Sequence, residues 1–297
     1  MSLVSLTQIE RNDMKQAIAK SLDLLDYTFK KELKSIVIKI NACYYWDYST
    51  GQTTDPRFVA SLIDLIRENT SPDIDIALIE SDASAMRCNY AYKFLGFEKL
   101  AKDRKVRLIN LREEEADSTQ VMCDGRTFRF MVPRIISHAD LRISLPKIKY
   151  TMEPIKLTCA LKNIFGCNPY PQKYKYHPHL GHTIVALNKA MPFDLVIIDG
   201  NIVSGIQPRK LGLVMASRDP VSIDAVAAKI AGINPNSMKY LQLASREGVG
   251  NTAYTIRGLQ IDPFKALYPR KTIKKKLMTH AFTLASRIGV TKKLGMG

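Results

Sequence analysis

Apolar residues follow two rhythms along this chain. Short, β-branched runs have the length and make-up of buried strands: SIVIKI (35–40), DIALIE (75–80), KVRLIN (105–110), DLRISL (140–145), DLVIID (194–199) and LGLVMAS (211–217). Between them, apolar residues recur at helical spacing over 14–25, 56–69, 89–102, 181–190, 220–231 and 237–246. Pro56 suits the first turn of its helix, with Thr54 or Asp55 as the N-cap. Strands alternating with helices predict an α/β fold, a mostly parallel, doubly wound sheet with helices on both faces. VMCDGRTFRFMVP (121–133) reads instead as a small antiparallel insertion. No repeat or low-complexity linker divides the chain. The expected layout is one α/β domain over 1–268 and a basic tail over 269–297.

The composition keeps the protein among soluble globular chains. The hydrophobic fraction of 46% is ample for a core, and no apolar run reaches the roughly 18–20 residues of a membrane span. The N-terminus shows no basic region followed by an apolar one, so no signal peptide is expected. The five cysteines are widely spaced, with no CxxC pair. That pattern points to a reducing cytoplasm and against a disulfide framework or an iron–sulfur cluster within this chain.

Charge adds the strongest global signal. The formal net charge is +16, and the field of such a chain attracts polyanions, acidic surfaces or anionic metabolites. Residues 270–297 hold eight Lys or Arg and no acid, half of that excess. In this tail Ile273, Leu277, Leu284 and Ile288 share one helical face. Such a basic amphipathic segment suits an anionic membrane surface or a second copy of the chain, if it does not pack on its own domain. Between residues 141 and 193 another eight basic residues face one acid, Glu153.

The second basic zone coincides with the place where open parallel sheets bind ligands, outside the carboxyl ends of their strands. Polar residues follow five predicted strands: Lys39 and Asn41; Glu80, Ser81 and Asp82; Lys147 and Lys149; Asp199 and Asn201; Ser217, Arg218 and Asp219. Each group alone reads as a loop or a helix cap. Together they predict one shared cleft, with ALKNIFGCNPYPQKYKYHPHLGH (160–182) as a wall. Lys39, Asn41, Lys147, Lys149, Lys162, Asn163 and His177 are the expected contacts to a small anion. Asp199 and Asp82 are the expected acid/base groups, with turn capping as the plainer alternative.

Other features are weaker. Cys167, His177, His179 and His182 are donor types that zinc accepts, but their spacing fits no closed structural site, so no metal is expected. Cys167 reads as a small buried residue, with a reactive thiolate as the alternative. Tyr44, Tyr45, Trp46 and Tyr48 form an aromatic loop, either packed on itself or a wall for a planar ligand. Aromatics among basic residues also suit single-stranded nucleic acid, yet no nucleic-acid motif accompanies them. Asp224, one turn into its helix, is placed to face the site.

In order along the chain, VIKIN, TTDP, LIESD, SLPKIK, ALKNIFGC, VIIDG and ASRDPVSIDAVAAKIAGINP make this sequence resemble the domain of unknown function 362 family, from about Lys34 to Gly250. LKNIFG and DPVSIDAVAAKIAG are specific together. The resemblance implies a fold and a site more firmly than a chemistry, and relatives often carry a ferredoxin-type iron–sulfur module. Two departures stand out. Thr151 occupies a position where similar members have histidine, and Ser204 one where they have glutamate. The resemblance thus implies either an altered chemistry or a non-catalytic relative. A looser parallel, in topology, is the nickel-pincer lactate racemase, whose cofactor-bearing lysine would correspond to Lys162. The missing histidine at Thr151 argues against a metal carried that way.

Overall fold

In the computed structural model, which describes residues 1–269 apart from Cys43, Met152 and Ile206, strand alternation generates two cores. Ile36 and Ile38 point into one, and Val37, between them, points into the other. The same division separates Ile76 and Leu78 from Ala77 and Ile79, and Leu195 and Ile197 from Val196 and Ile198. A strand that is apolar on both sides needs cover on both faces.

The chain runs β1 (Ser2–Gln8), α1 (Met14–Asp23), β2 (Ser35–Lys39), α2 (Pro56–Asn69), β3 (Asp75–Glu80), α3 (Cys88–Phe94), α4 (Phe97–Arg104) and β4 (Arg107–Asn110). An antiparallel ribbon follows, β5 (Ala116–Cys123) and β6 (Arg126–Pro133), then α5 (Arg134–Ser137) and β7 (Leu141–Ser144). Next come the two-residue strands β8 (Lys149–Tyr150) and β9 (Leu157–Thr158), α6 (Ala160–Ile164) and α7 (Leu180–Ala190). The chain continues through β10 (Leu195–Val203), β11 (Arg209–Ser217), α8 (Pro220–Ile230), α9 (Lys239–Arg246), β12 (Tyr254–Gly258) and α10 (Ile261–Leu267).

Eight strands form one sheet in the order β12-β1-β11-β10-β7-β2-β3-β4. All pairings are parallel except those of β11, which runs against both β10 and β1. Helices α1 to α4 supply one core, and α6 to α9 with the ribbon supply the other. The expected mostly parallel, two-faced α/β sheet with an antiparallel insertion is therefore what forms.

Local rules explain the elements. Helix α2 begins as its sequence predicts, with Pro56 in the first turn and the Asp55 carboxylate accepting from Arg57 N–H at 2.9 Å. The single helix expected over 89–102 is two, because the chain turns at Leu95–Gly96, with Gly96 at φ +84°.

The antiparallel course of β11 corrects one expectation about the site. Ser217, Arg218 and Asp219 follow the strand that runs the other way, so they lie at the opposite edge of the sheet. There Asp219 caps α8 and accepts from Ser2 Oγ at 2.6 Å and Asn251 N–H at 2.8 Å. The basic amphipathic tail expected over 269–297 lies outside the described residues beyond Pro269. Among the described residues no helix is long and apolar enough to cross a membrane.

Candidate functional site

Lys39 ends β2 and Glu80 ends β3, and the register sets Lys39 beside Ile79, one step short of Glu80. Parallel pairing thus brings a cation and a carboxylate together at the carboxyl edge. Lys39 Nζ donates to Glu80 Oε2 at 2.6 Å and to the Ile40 carbonyl at 2.7 Å, and the lysine is 1% exposed. Glu80 also accepts from Ser81 N–H at 3.0 Å and Ala42 N–H at 3.3 Å. Buried charge survives only when paired and hydrogen-bonded in this way.

Helix α6 joins the strand ends through Asn163. Its Nδ2 donates to Ser144 Oγ at 3.0 Å and to the Lys39 carbonyl at 3.2 Å, while its Oδ1 accepts from Asn41 Nδ2 at 2.8 Å. Asn41 Oδ1 in turn accepts from Lys149 Nζ at 2.6 Å, and Lys149 also donates to the Gln52 carbonyl at 2.8 Å. Gly166 lies directly on the Lys39–Glu80 pair. A Cβ there would sit 2.7 Å from Lys39 Nζ and 3.0 Å from Glu80 Oε1, which is why this turn needs glycine.

These groups line a cavity of about 770 Å³ beyond the carboxyl ends of β2, β3 and β7. Of the expected anion contacts, Lys39, Asn41, Lys149, Lys162, Asn163 and His177 all reach its wall, as do Thr151 and Ser204. Tyr44 and Trp46 stand on the wall with ring centroids 5.3 Å apart. The rest of the aromatic loop packs elsewhere: Tyr45 OH accepts from Arg87 N–H at 3.0 Å, and Tyr48 lies under Arg57.

Three expected site residues do not reach the cavity lining. Lys147 and Asp199 form their own buried pair at 2.9 Å, with side chains 1% and 0% exposed. Asp199 lies inside β10, which continues to Val203, so it does not end the strand as its sequence suggests. Its Oδ2 also accepts from Asp55 N–H at 2.8 Å, and its Oδ1 from Asn201 N–H at 3.1 Å. Asp82 binds Cys88 N–H at 2.8 Å, Arg112 at 2.9 Å and Arg87 at 3.1 Å. Burial opposes the charge of Asp82, but the Cys88 N–H, Arg112 and Arg87 outweigh it and hold the carboxyl below its usual range. Neither carboxylate lines the cavity.

Asp224 is also corrected. It does not face the cavity but supports α6 from below, accepting Ala160 N–H at 2.7 Å and Leu161 N–H at 3.2 Å. Burial pushes its carboxyl up to about 7 against those hydrogen bonds. The N–H groups at the start of LKNIFG are therefore taken by a side chain of the same protein.

Lys173 is the cavity residue that sequence reading missed. It is 8% exposed, and its Nζ donates to Ser81 Oγ at 2.5 Å and the Gly166 carbonyl at 3.3 Å. Burial lowers its pKa to about 8; Glu80 opposes that shift and Lys39 adds to it. Its flanks, PQKYKYH, look like a solvated basic loop, and nothing local marks one lysine as buried. His177 is also shifted down, by burial first and then by Lys162, so it enters the site as a neutral imidazole.

The possible metal donors are dispersed. Cys167 is buried in a core, and desolvation pushes its thiol up to about 12, the reverse of a reactive thiolate. His179 lies against Arg126 at 3.2 Å, and His182 against Asp124 at 3.1 Å. Among the described residues no three His, Cys, Asp or Glu side chains are arranged to hold a metal ion.

Comparison with known proteins agrees with the quoted motifs. The family model described as a domain of unknown function (DUF362) matches residues 36–229. A thylakoid-associated protein of Synechocystis is 32% identical over 128 residues, which is 39% of this chain and only 40% of that relative's length. The solved lactate racemase apoprotein from Thermoanaerobacterium thermosaccharolyticum superposes with a TM-score of 0.44 at 10% identity, over 78% of this chain and 58% of its own. A likeness at that level transfers no chemistry to this chain.

Proposed function

We propose, starting from the fact that the chain belongs to the DUF362 family, that its cavity binds a small metabolite carrying a carboxylate or phosphate and positions it for chemistry. One observation carries this reading: among the described residues the wall holds four lysines, Lys39, Lys149, Lys162 and Lys173, against a single carboxylate, Glu80. Glu80 is engaged by Lys39 at 2.6 Å, and lysines outnumber carboxylates among the described residues of the wall. In a partly dry site such charge favours an anion far more than the same residues would in water. Tyr44 and Trp46 add a flat apolar surface, which suits a ligand with a planar part.

The acid/base groups of this reading are neutral His177 and Lys173, which replace Asp199 and Asp82. Both lie on the cavity wall and both have lowered pKa values, so each holds more of its neutral, proton-accepting form than an exposed side chain would.

A panel of small carboxylates and phosphates, screened by thermal shift at constant ionic strength, tests the reading. At least one should raise the melting temperature in a saturable way. Lys162→Ala should weaken that ligand by at least about tenfold, since a charge-assisted hydrogen bond contributes roughly 1.5–3 kcal/mol. A panel without a stabilising anion, or full retention of affinity in Lys162→Ala, contradicts it.

A further inference from the structure

Lys173 invites a question that anion binding alone leaves open, because the burial that lowers its pKa to about 8 also weakens the charge that would attract an anion. Its Nζ can donate three hydrogen bonds. Among the described residues it has two acceptors, Ser81 Oγ and the Gly166 carbonyl, and the side chain lines the cavity. The Ser81 hydroxyl, which receives the Lys173 proton, itself donates to the Gly166 carbonyl at 2.5 Å or the Asn168 carbonyl at 3.1 Å. The amine is thus held by a fixed cradle in the cavity wall. Burial and the nearby Lys39 cation both favour loss of its proton, and at about pH 8 a large fraction is the neutral nucleophile.

We propose that Lys173 forms an imine with a carbonyl-bearing anion, a 2-oxo acid or close analogue, drawn into the lysine-lined cavity. The inference rests on the anion-binding reading above. In the first step the neutral Nζ adds to the carbonyl carbon, forming a C–N bond. The C=O π pair moves to oxygen, which takes up the proton released by nitrogen, and Ser81 Oγ is positioned to relay it. The resulting carbinolamine then expels its hydroxyl group with a second proton, as water. The sum is amine plus carbonyl giving imine plus water, with no change of oxidation state and no further reactant. His177 is the cavity-wall base available for proton exchange in this sequence. The other wall lysines are less suited: Lys39 is committed to Glu80 at 2.6 Å and Lys149 to Asn41 at 2.6 Å.

The test uses the full chain with pyruvate as the probe and cyanoborohydride as the trap, at pH 8. Hydride reduces an imine to a stable secondary amine, so each adduct adds the mass of one probe minus one oxygen atom. The expected result is a single adduct on the peptide containing Lys173, suppressed by excess lactate, which shares the carboxylate but lacks the carbonyl. Lys173→Arg should abolish this adduct. Adducts spread over surface lysines and unaffected by lactate overturn the imine, as does the absence of any adduct. If Trp46 still responds saturably to pyruvate in those cases, anion binding survives and only the imine falls. If Trp46 responds to no anion, both fall.

Discussion

Replacing Asp199 with alanine is expected to cost about 3–5 kcal/mol of folding stability. The carboxylate is fully buried against Lys147 at 2.9 Å and also holds Asp55 N–H, the residue that caps α2. Removing it leaves an ammonium group in the interior without a counter-charge, and two backbone N–H groups without acceptors. Urea unfolding should show the loss as a lower midpoint with an unchanged slope. The double variant Lys147→Met/Asp199→Leu should recover most of it, because it removes both charges and fills the space with apolar atoms. Near-normal stability in Asp199→Ala, or no rescue by the second substitution, would contradict this account of the pair.

Glu80→Gln should have a destabilisation of similar size, about 3–5 kcal/mol, with a second signature at Lys173. Glutamine keeps the shape and some of the hydrogen bonds, so the loss reports the charge that Lys39 needs. The Glu80 carboxylate also favours the ammonium form of Lys173, opposing the burial that depresses it to about 8. Without that carboxylate the neutral amine should appear at still lower pH. The midpoint for amine labelling of Lys173, followed by peptide mass spectrometry across pH, should therefore move down. An unchanged midpoint would mean that Glu80 and Lys173 do not share a field, and the cavity would lose its electrostatic logic.

Much of this architecture is legible in the sequence because burial on both faces forces continuous apolar strands. SIVIKI and DIALIE carry their own assignment, and Thr54-Asp55-Pro56 carries the start of α2. Strand β1 escapes because SLVSLTQ mixes polar residues into a buried strand, where Ser5 and Thr7 bond to Ser21 and the Ala17 carbonyl. The residues of β12 are largely half-exposed, as befits an edge strand, and they give a weak signal.

At the site, the strand-end rule finds Lys39, Asn41 and Lys149, and the LKNIFG motif finds Lys162 and Asn163. It errs at β11, since strand direction is a property of pairing and not of local sequence. It errs again at Asp199 and Lys147, whose distance in sequence hides that each neutralises the other. Lys173 could not be distinguished from Lys175 by type or neighbours. Lys173 is buried beside Ser81, and Lys175 stacks on Tyr170 and Tyr176, a difference that only the folded chain expresses.

Trp46 offers the most direct test of the cavity as an anion site. It is the sole tryptophan in the 297 residues, it stands on the cavity wall, and it is 49% exposed, so its emission reports that one place. Titration with small carboxylates and phosphates at fixed ionic strength should give a saturable change in emission for at least one of them, and Lys162→Ala should largely remove that change. Emission that follows ionic strength alone, or a response undiminished in Lys162→Ala, would contradict the assignment of this cavity as the binding site.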